Sequence, residues 1–308
     1  MAIVSAMLKI VAALALGYAF NRIKILNSET CTAMSKLIIN AASPCLIFSS
    51  VVSVGSERKG EALFLLWIGF AIYIFMAAIA FITVKLVRVP KEKFATYMCI
   101  LIFGNVGFLG FPIAQSLYGS LGLFYMGILN IHFTLFAYTF GMMLMSGRDG
   151  DGKVKVSFRT LINPGTVGVA LALIFFFLEI KIPDIILEPI SFIGQITSPL
   201  AMIVLGSTIA QYPLKEVFTN TRNYITSIVK LLVMPAVAYL ALNAVWGTSE
   251  LTTIITLYVG CPTATILVMM SLAYNGDVES VSSSIGLTTL MSLITIPALW
   301  FFIRAVGA

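Results

Sequence analysis

Charge is scarce in this 308-residue chain. Asp, Glu, Lys and Arg make up 10% of it and hydrophobic residues 59%, with a mean hydropathy of +1.02. Soluble domains carry about 25% charged residues, so the composition excludes one and indicates a polytopic membrane protein. Histidine is nearly missing, with His132 alone. The four cysteines (Cys31, Cys45, Cys99 and Cys261) show neither a CxxC pair nor metal-ligand spacing, which argues against a disulfide framework and a zinc site. No metal or cofactor is expected. No aspartate or glutamate lies well inside an apolar run. That removes intramembrane aspartyl proteases and the carboxylates on which proton- and sodium-driven carriers often rely. HExxH, a nucleotide-binding P-loop and a nucleophile elbow are absent, so an enzyme is not expected. The net charge of +6 is no sign of nucleic acid as a partner. The basic residues sit in short loops beside apolar runs, where membrane topology uses them.

What the chain does have is apolar runs. A span needs about 20 predominantly apolar residues, and ten stretches qualify. They are approximately Ile3–Phe20, Thr32–Ser53, Ala62–Val87, Phe94–Tyr118, Leu121–Met145, Pro164–Ile180, Ile185–Ala210, Tyr224–Val245, Leu251–Tyr274 and Val278–Ile303. The first lacks a basic n-region and carries Lys9, so it reads as a retained span and not a signal peptide. The longest polar connection divides the chain into residues 1–146, a linker at 147–163 and residues 164–308, with five spans on each side. The fold class is therefore all-α, polytopic, with ten transmembrane helices.

Two spans are interrupted. Phe103 to Pro112 reads Phe-Gly-Asn-Val-Gly-Phe-Leu-Gly-Phe-Pro, and its Gly107, Gly110 and Pro112 break the helical pattern. The second break is Gly260-Cys261-Pro262-Thr263. An unpaired backbone group costs several kcal/mol in lipid, so a broken helix persists only inside protein or beside a polar cavity. One gap-free shift of 155 residues (198 less 43) carries Ser43-Pro44 onto Ser198-Pro199 and Gly107 onto Pro262. The halves read as a repeat of five spans. An odd number makes the repeats inverted, with broken helices 4 and 9 crossing, which is the pattern of secondary transporters. Lys and Arg concentrate on the loops that include Arg22, Lys24, Lys85, Arg88, Lys91, Lys93, Arg148, Lys153, Lys155, Arg159, Lys215 and Arg222. That face should be cytoplasmic, with both termini outside.

Candidate site residues follow from the crossing. Breaks free helix-end N–H groups of partial positive charge, and opposed half-helix N-termini suit an anion such as a carboxylate. Gly104, Asn105 and Val106 flank the first break. Pro262, Thr263 and Thr265 flank the second, and Ser43 belongs to the repeated Ser-Pro pair. Asn130 and His132 stand in a fifth span that is otherwise largely apolar. The imidazole could carry a proton or bind substrate, or its ring could be satisfied by a neighbouring carbonyl. Lys230 lies about two turns inside the eighth span, either snorkelling to the cytoplasmic interface or pairing with an anionic substrate. Asp277 and Glu279 open the tenth span, where acidic residues suit a helix N-terminus.

At these residues the chain resembles the auxin efflux carrier family, which includes the plant PIN-formed auxin exporters and bacterial carriers. The resemblance rests on Gly104 to Pro112 continuing to Leu117-Tyr118-Gly119, on Ser198-Pro199-Leu200 with Leu205-Gly206, on Cys261-Pro262 running to Tyr274-Asn275, and on Leu129-Asn130. It implies ten spans in two inverted repeats, a scaffold of spans 1, 2, 6 and 7, and a transport domain of spans 3–5 and 8–10 moving elevator-fashion. It also implies a homodimer in the bacterial inner membrane, contacting through the scaffold, with lipid and a small organic anion as the other partners. Asn105 falls on the family's substrate-binding asparagine, and Asn130 on a polar amide facing substrate. Gly104 stands where the plant exporters have proline, and the central loop is short. A malonate- or malate-like anion therefore fits better than auxin. A channel or membrane-embedded sensor on the same fold is the competing class.

Overall fold

Backbone polar groups in hydrocarbon must be satisfied within their own segment, so long apolar runs become helices. The computed structural model describes residues 2–146, 162, 164–211, 220–274 and 276–307, with side chains from Leu8 onward. Apart from Ile162, the expected linker 147–163 lies outside the described residues, as do Lys215 and Asn275. The described chain is mainly helical, with a single isolated β-bridge.

The helices are α1 (Ala2–Arg22), α2 (Ser28–Val52), α3 (Ser56–Leu86), α4 (Phe94–Ile102), α5 (Val106–Ser146), α6 (Pro164–Phe177), α7 (Asp184–Gln211), α8 (Thr221–Trp246), α9 (Glu250–Val259), α10 (Ile266–Ala273) and α11 (Val278–Val306). Among the described residues, six are long and apolar enough to cross a membrane: α2, α3, α5, α7, α8 and α11. Helix α5 is two helices joined at Gly119, whose φ of 57° and ψ of −136° lie where a side chain would be strained. Single π turns interrupt α2 at Ile38–Ala42, α5 at Ala137–Gly141 and α8 at Val229–Val233. Local sequence sets several starts. Asn27 and Ser249 close capping boxes with Thr30 and Thr252, and Asp277 caps α11 through the Ser280 N–H.

The chain divides into two compact units. One holds α1, α2, the start of α3 through Trp67, residues 107–131 of α5, and α6 and α7. Its helices approach closely because glycines face them. A Cβ at Gly17 would overlap the Ile203 carbonyl, and one at Gly206 would overlap the Leu14 carbonyl. Small residues permit such backbone contact where lipid offers no hydrophobic drive for association. Polar links also tie this unit: Asn21 Nδ2 donates to Ser207 Oγ at 3.0 Å, and Lys59 pairs with Glu179 at 2.6 Å.

The other unit holds α3 from Ile68, α4 with the residues to Val106, α5 from His132, and α8 to α11. Its interior is unusually polar for an apolar protein. Thr96, Asn223, Thr226, Ser227, Lys230, Thr256, Thr263, Ser284, Thr288 and Thr289 are each at most 1% exposed. Many are bonded to one another or to backbone. Tyr97 donates to Asn223 Oδ1 at 2.7 Å, Asn223 donates to Ser283, and the Tyr73 and Tyr258 hydroxyls meet at 2.8 Å.

Candidate functional site

Helix α4 stops at Ile102 because Phe103 turns extended, at φ −91° and ψ 116°, and Gly104 follows. Helix α9 stops at Val259, and Pro262 has no N–H with which to continue it. The two unwound segments lie side by side. Gly104 and Thr263 form an antiparallel bridge. The Asn105 N–H donates to the Pro262 carbonyl at 2.6 Å, and the Ala264 N–H donates to the Phe103 carbonyl at 3.0 Å. Both breaks expected from the sequence are thus present, and they meet. Close approach depends on Gly104, where a Cβ would stand 2.9 Å from the Cβ of Cys261.

The backbone groups released by the breaks are mostly consumed inside the unit. Val106 N–H turns back to the Gly104 carbonyl at 2.9 Å, and Thr263 N–H donates to Thr288 Oγ1 at 3.1 Å. Thr263 Oγ1 donates to the Ile100 carbonyl at 3.3 Å, and Lys230 Nζ to the Leu101 carbonyl at 2.8 Å. Thr265 and Ile266, at the start of α10, are half-buried. Their N–H groups find no partner among the described residues. These are first-turn donors at the positive end of a half-helix.

The sequence-derived candidates therefore separate. Gly104, Asn105, Val106, Gly260, Pro262 and Thr263 are all buried at the crossing itself. Thr263 is fully enclosed and serves the backbone, whereas Thr265 sits on the accessible side. Gly107 and Gly110 form a π turn, Val106–Gly110, at the start of α5, with Pro112 after it, and a Cβ at Gly107 would meet only open space. In the first unit Asn130 and Ser43 are half-buried, and the Ser43 N–H donates to the Ile38 carbonyl across a π turn.

His132 and Lys230 take positions the sequence left open. The His132 ring, 2% exposed, fills the space over Gly69 of α3, where a Cβ would collide with it. It also meets Phe70 edge-on at 4.9 Å. Lys230 does not snorkel: it is 1% exposed and points to α4. Its Nζ is enclosed and reaches instead a carbonyl that the end of α4 leaves without an intrahelical donor. Sequence reasoning missed Thr288, Asn223 and the Tyr73–Tyr258 pair. Hydroxyls and amides recurring on α8 and α11 were the available signal.

Charge outside the spans is paired at the mouth of α11. Lys93 Nζ lies 2.6 Å from Asp277 Oδ2. Partial burial pushes the Asp277 carboxyl up, but hydrogen bonds from Lys93 and Ser280 outweigh it and hold the group below the usual carboxylate range. The Asp277 hydrogen bond in turn raises Lys93 above the ordinary lysine value.

An all-helical chain with several membrane-length helices and two paired helix breaks belongs to the class of membrane transporters. A family model described as membrane transport protein matches residues 2–300, and the chain is a member of that family, the auxin efflux carriers. Similar proteins include an uncharacterised transporter of Methanocaldococcus jannaschii, 28% identical over 93% of this chain and 94% of that one. A candidate malonate transporter of Rhizobium meliloti is 25% identical over 94% of this chain and 92% of its own. The YfdV transporter of Escherichia coli is 25% identical over 96% of each.

Proposed function

We propose that the protein is a secondary carrier of a small organic anion, a carboxylate of malonate or malate size. The observation that carries this reading is the antiparallel bridge between Gly104 and Thr263, where two interrupted apolar helices meet. Irregular backbone inside a membrane protein belongs at a binding cavity, and half-helix N-termini there point at anionic groups. The anion is held by the N–H groups of Thr265 and Ile266, with Asn105 and the Thr265 hydroxyl as side-chain partners. A malonate-type substrate is supported by the name of the R. meliloti relative.

In this reading the ten spans form two inverted repeats in the bacterial inner membrane, with both termini outside and the central loop cytoplasmic. Spans 1, 2, 6 and 7 are the scaffold, through which two copies pair, and the others move as an elevator. Support comes from α1, α2, α6 and α7 falling in one compact unit, which also takes residues 107–131.

The test is uptake of radiolabelled malonate by proteoliposomes. Asn105→Ala should abolish uptake while leaving the melting temperature intact; unchanged uptake would remove Asn105 from the site. A carrier shows saturable uptake and accelerated exchange when unlabelled malonate is loaded inside. Linear, unaccelerated flux would favour the channel reading.

A further inference from the structure

The last turn of α4 raises a question that the anion site does not answer. A helix leaves its final carbonyls without intrahelical donors, and that end carries partial negative charge. At this end the Ile100 carbonyl receives Thr263 Oγ1, the Phe103 carbonyl receives the Ala264 N–H, and the Leu101 carbonyl receives Lys230 Nζ at 2.8 Å. Lys230 is enclosed, at 1% exposed. The ion pairs seen among the described residues join Arg58 to Glu61, Lys59 to Glu179 and Lys93 to Asp277, and none reaches Lys230. Among the described residues, the elements packed on its π turn bring no carboxylate to it. Helix α4 offers Tyr97 and Cys99. Helix α9 and the break after it offer Tyr258 and Cys261. Helix α11 carries Asp277 and Glu279 only at its start.

A buried ammonium needs a compensating partner, and here the partner is the carbonyl end of a half-helix. Secondary transporters use that same feature, the unwound carbonyls and C-terminal end of a broken helix, to hold a coupling Na⁺ or H⁺. A mobile hard cation would also need about six oxygen ligands, and a covalently held ammonium needs only its few hydrogen bonds. Building on the carrier reading, we infer that Lys230 is a tethered cation, occupying the cation place behind the crossing so that transport requires no mobile sodium ion. Its charge balances the α4 carbonyl end and stays with the crossing in every state of the cycle.

Two readouts test this, malonate uptake in proteoliposomes and melting of the purified protein in detergent. Replacing sodium by N-methylglucamine should change wild-type uptake by less than about twofold and leave its melting unmoved. Lys230→Ala should lose uptake by about tenfold or more, Lys230→Arg should keep most of it, and methylammonium should restore the alanine variant and raise its melting temperature in a saturable way. Methylammonium should do nothing for Asn105→Ala. Sodium-dependent uptake or melting of the wild type, full activity of Lys230→Ala without added cation, or a folded alanine variant indifferent to methylammonium would overturn the inference. If Lys230→Ala does not fold, Lys230→Met replaces it under the same criteria, and the wild-type sodium arm still decides. A wild type that carries no malonate would sink the substrate reading alone, because the melting arm needs no substrate.

Discussion

Gly104→Ala is the sharpest perturbation of the crossing. The added Cβ would stand 2.9 Å from the Cβ of Cys261 and 3.4 Å from the Cys261 carbonyl oxygen. Carbon atoms rest at about 3.5–4.0 Å, so the segments must separate by roughly 0.6–1 Å. The obstacle is a Cβ on the other strand and not the tip of a flexible side chain, so backbone has to move. Overpacking of this kind costs about 1–3 kcal/mol. The hydrogen bonds from Asn105 to Pro262 and from Ala264 to Phe103 are stretched with it, each worth about 0.5–1.5 kcal/mol. A loss of about 3 kcal/mol is expected, roughly a hundredfold in the folded-to-unfolded ratio.

The cause can be isolated with a double-mutant cycle. Cys261→Gly removes the opposing Cβ, and Cys261→Ser keeps it. Reversible unfolding in mixed detergent micelles, followed by circular dichroism, gives the four stabilities. Gly104→Ala combined with Cys261→Gly should cost less than the sum of the single changes by about 1–2 kcal/mol, whereas the pair with Cys261→Ser should be additive. Additivity within about 0.5 kcal/mol for both pairs would show that the two segments do not touch as described.

Other expectations follow from neighbouring contacts. Thr288→Val keeps its shape but strands the buried Thr263 N–H, so it should lower stability by about 1 kcal/mol, near the modest values found for interhelical bonds in membranes; no change in the melting curve would contradict the bond. Thr265→Ala should weaken malonate binding with little loss of stability, and Thr263→Ala the reverse; calorimetry on both variants separates the two roles. The depressed Asp277 carboxyl contributes stability that is fully present above the ordinary carboxylate value of about 4 and is lost as pH falls through the lower folded value. The advantage of wild type over Asp277→Asn should hold from neutrality to about pH 5 and shrink below about pH 4, and an advantage equal at pH 7 and 3.5 would refute the ion pair. His132→Leu should cost stability and leave the pH profile of uptake unchanged near neutrality, where free histidine titrates; a flattened profile would give the imidazole a proton role.

The breaks were legible in the sequence because Gly, Asn and Pro are out of place in a run that should be continuous helix. The Gly119 turn was legible in the same way, as the one position between two apolar runs able to take positive φ. What the sequence could not give was partnership. Depth left Lys230 between two readings, because the α4 carbonyl it reaches lies 129 residues away in the chain. Thr263 and Thr265 are chemically alike and two residues apart, yet one is sealed against α4 and α11 and the other opens to the accessible side. Only the antiparallel pairing with Gly104 decides which. The polar lining of α8 and α11 was visible as composition, but Tyr97, Asn223 and Ser283 become a network only when three separate helices are brought together.

The distribution of satisfied backbone groups bears on whether the interruption is a binding feature or merely a kink. A kink of structural convenience would satisfy the groups it frees. Many enclosed groups at the crossing are served: the Asn105 and Ala264 N–H by the opposite strand, Thr263 by Thr288, Val106 by Gly104, and the Ile100 and Leu101 carbonyls by a hydroxyl and by Lys230. The Thr265 and Ile266 N–H groups, at the half-buried start of α10, have no partner among the described residues. Leaving N–H groups unpaired in an apolar protein costs about 1–3 kcal/mol each. That cost is offset when a guest of negative charge accepts from them. The Thr265 and Ile266 donors sit where a guest can reach. Adding a hydrogen-bond acceptor from the protein itself should therefore trade function for stability. Val268 is half-buried and three residues after Thr265, so Val268→Gln places an amide oxygen within capping-box reach of the Thr265 N–H. The variant should melt higher and bind malonate more weakly, and malonate binding as tight as wild type would refute the role of that donor.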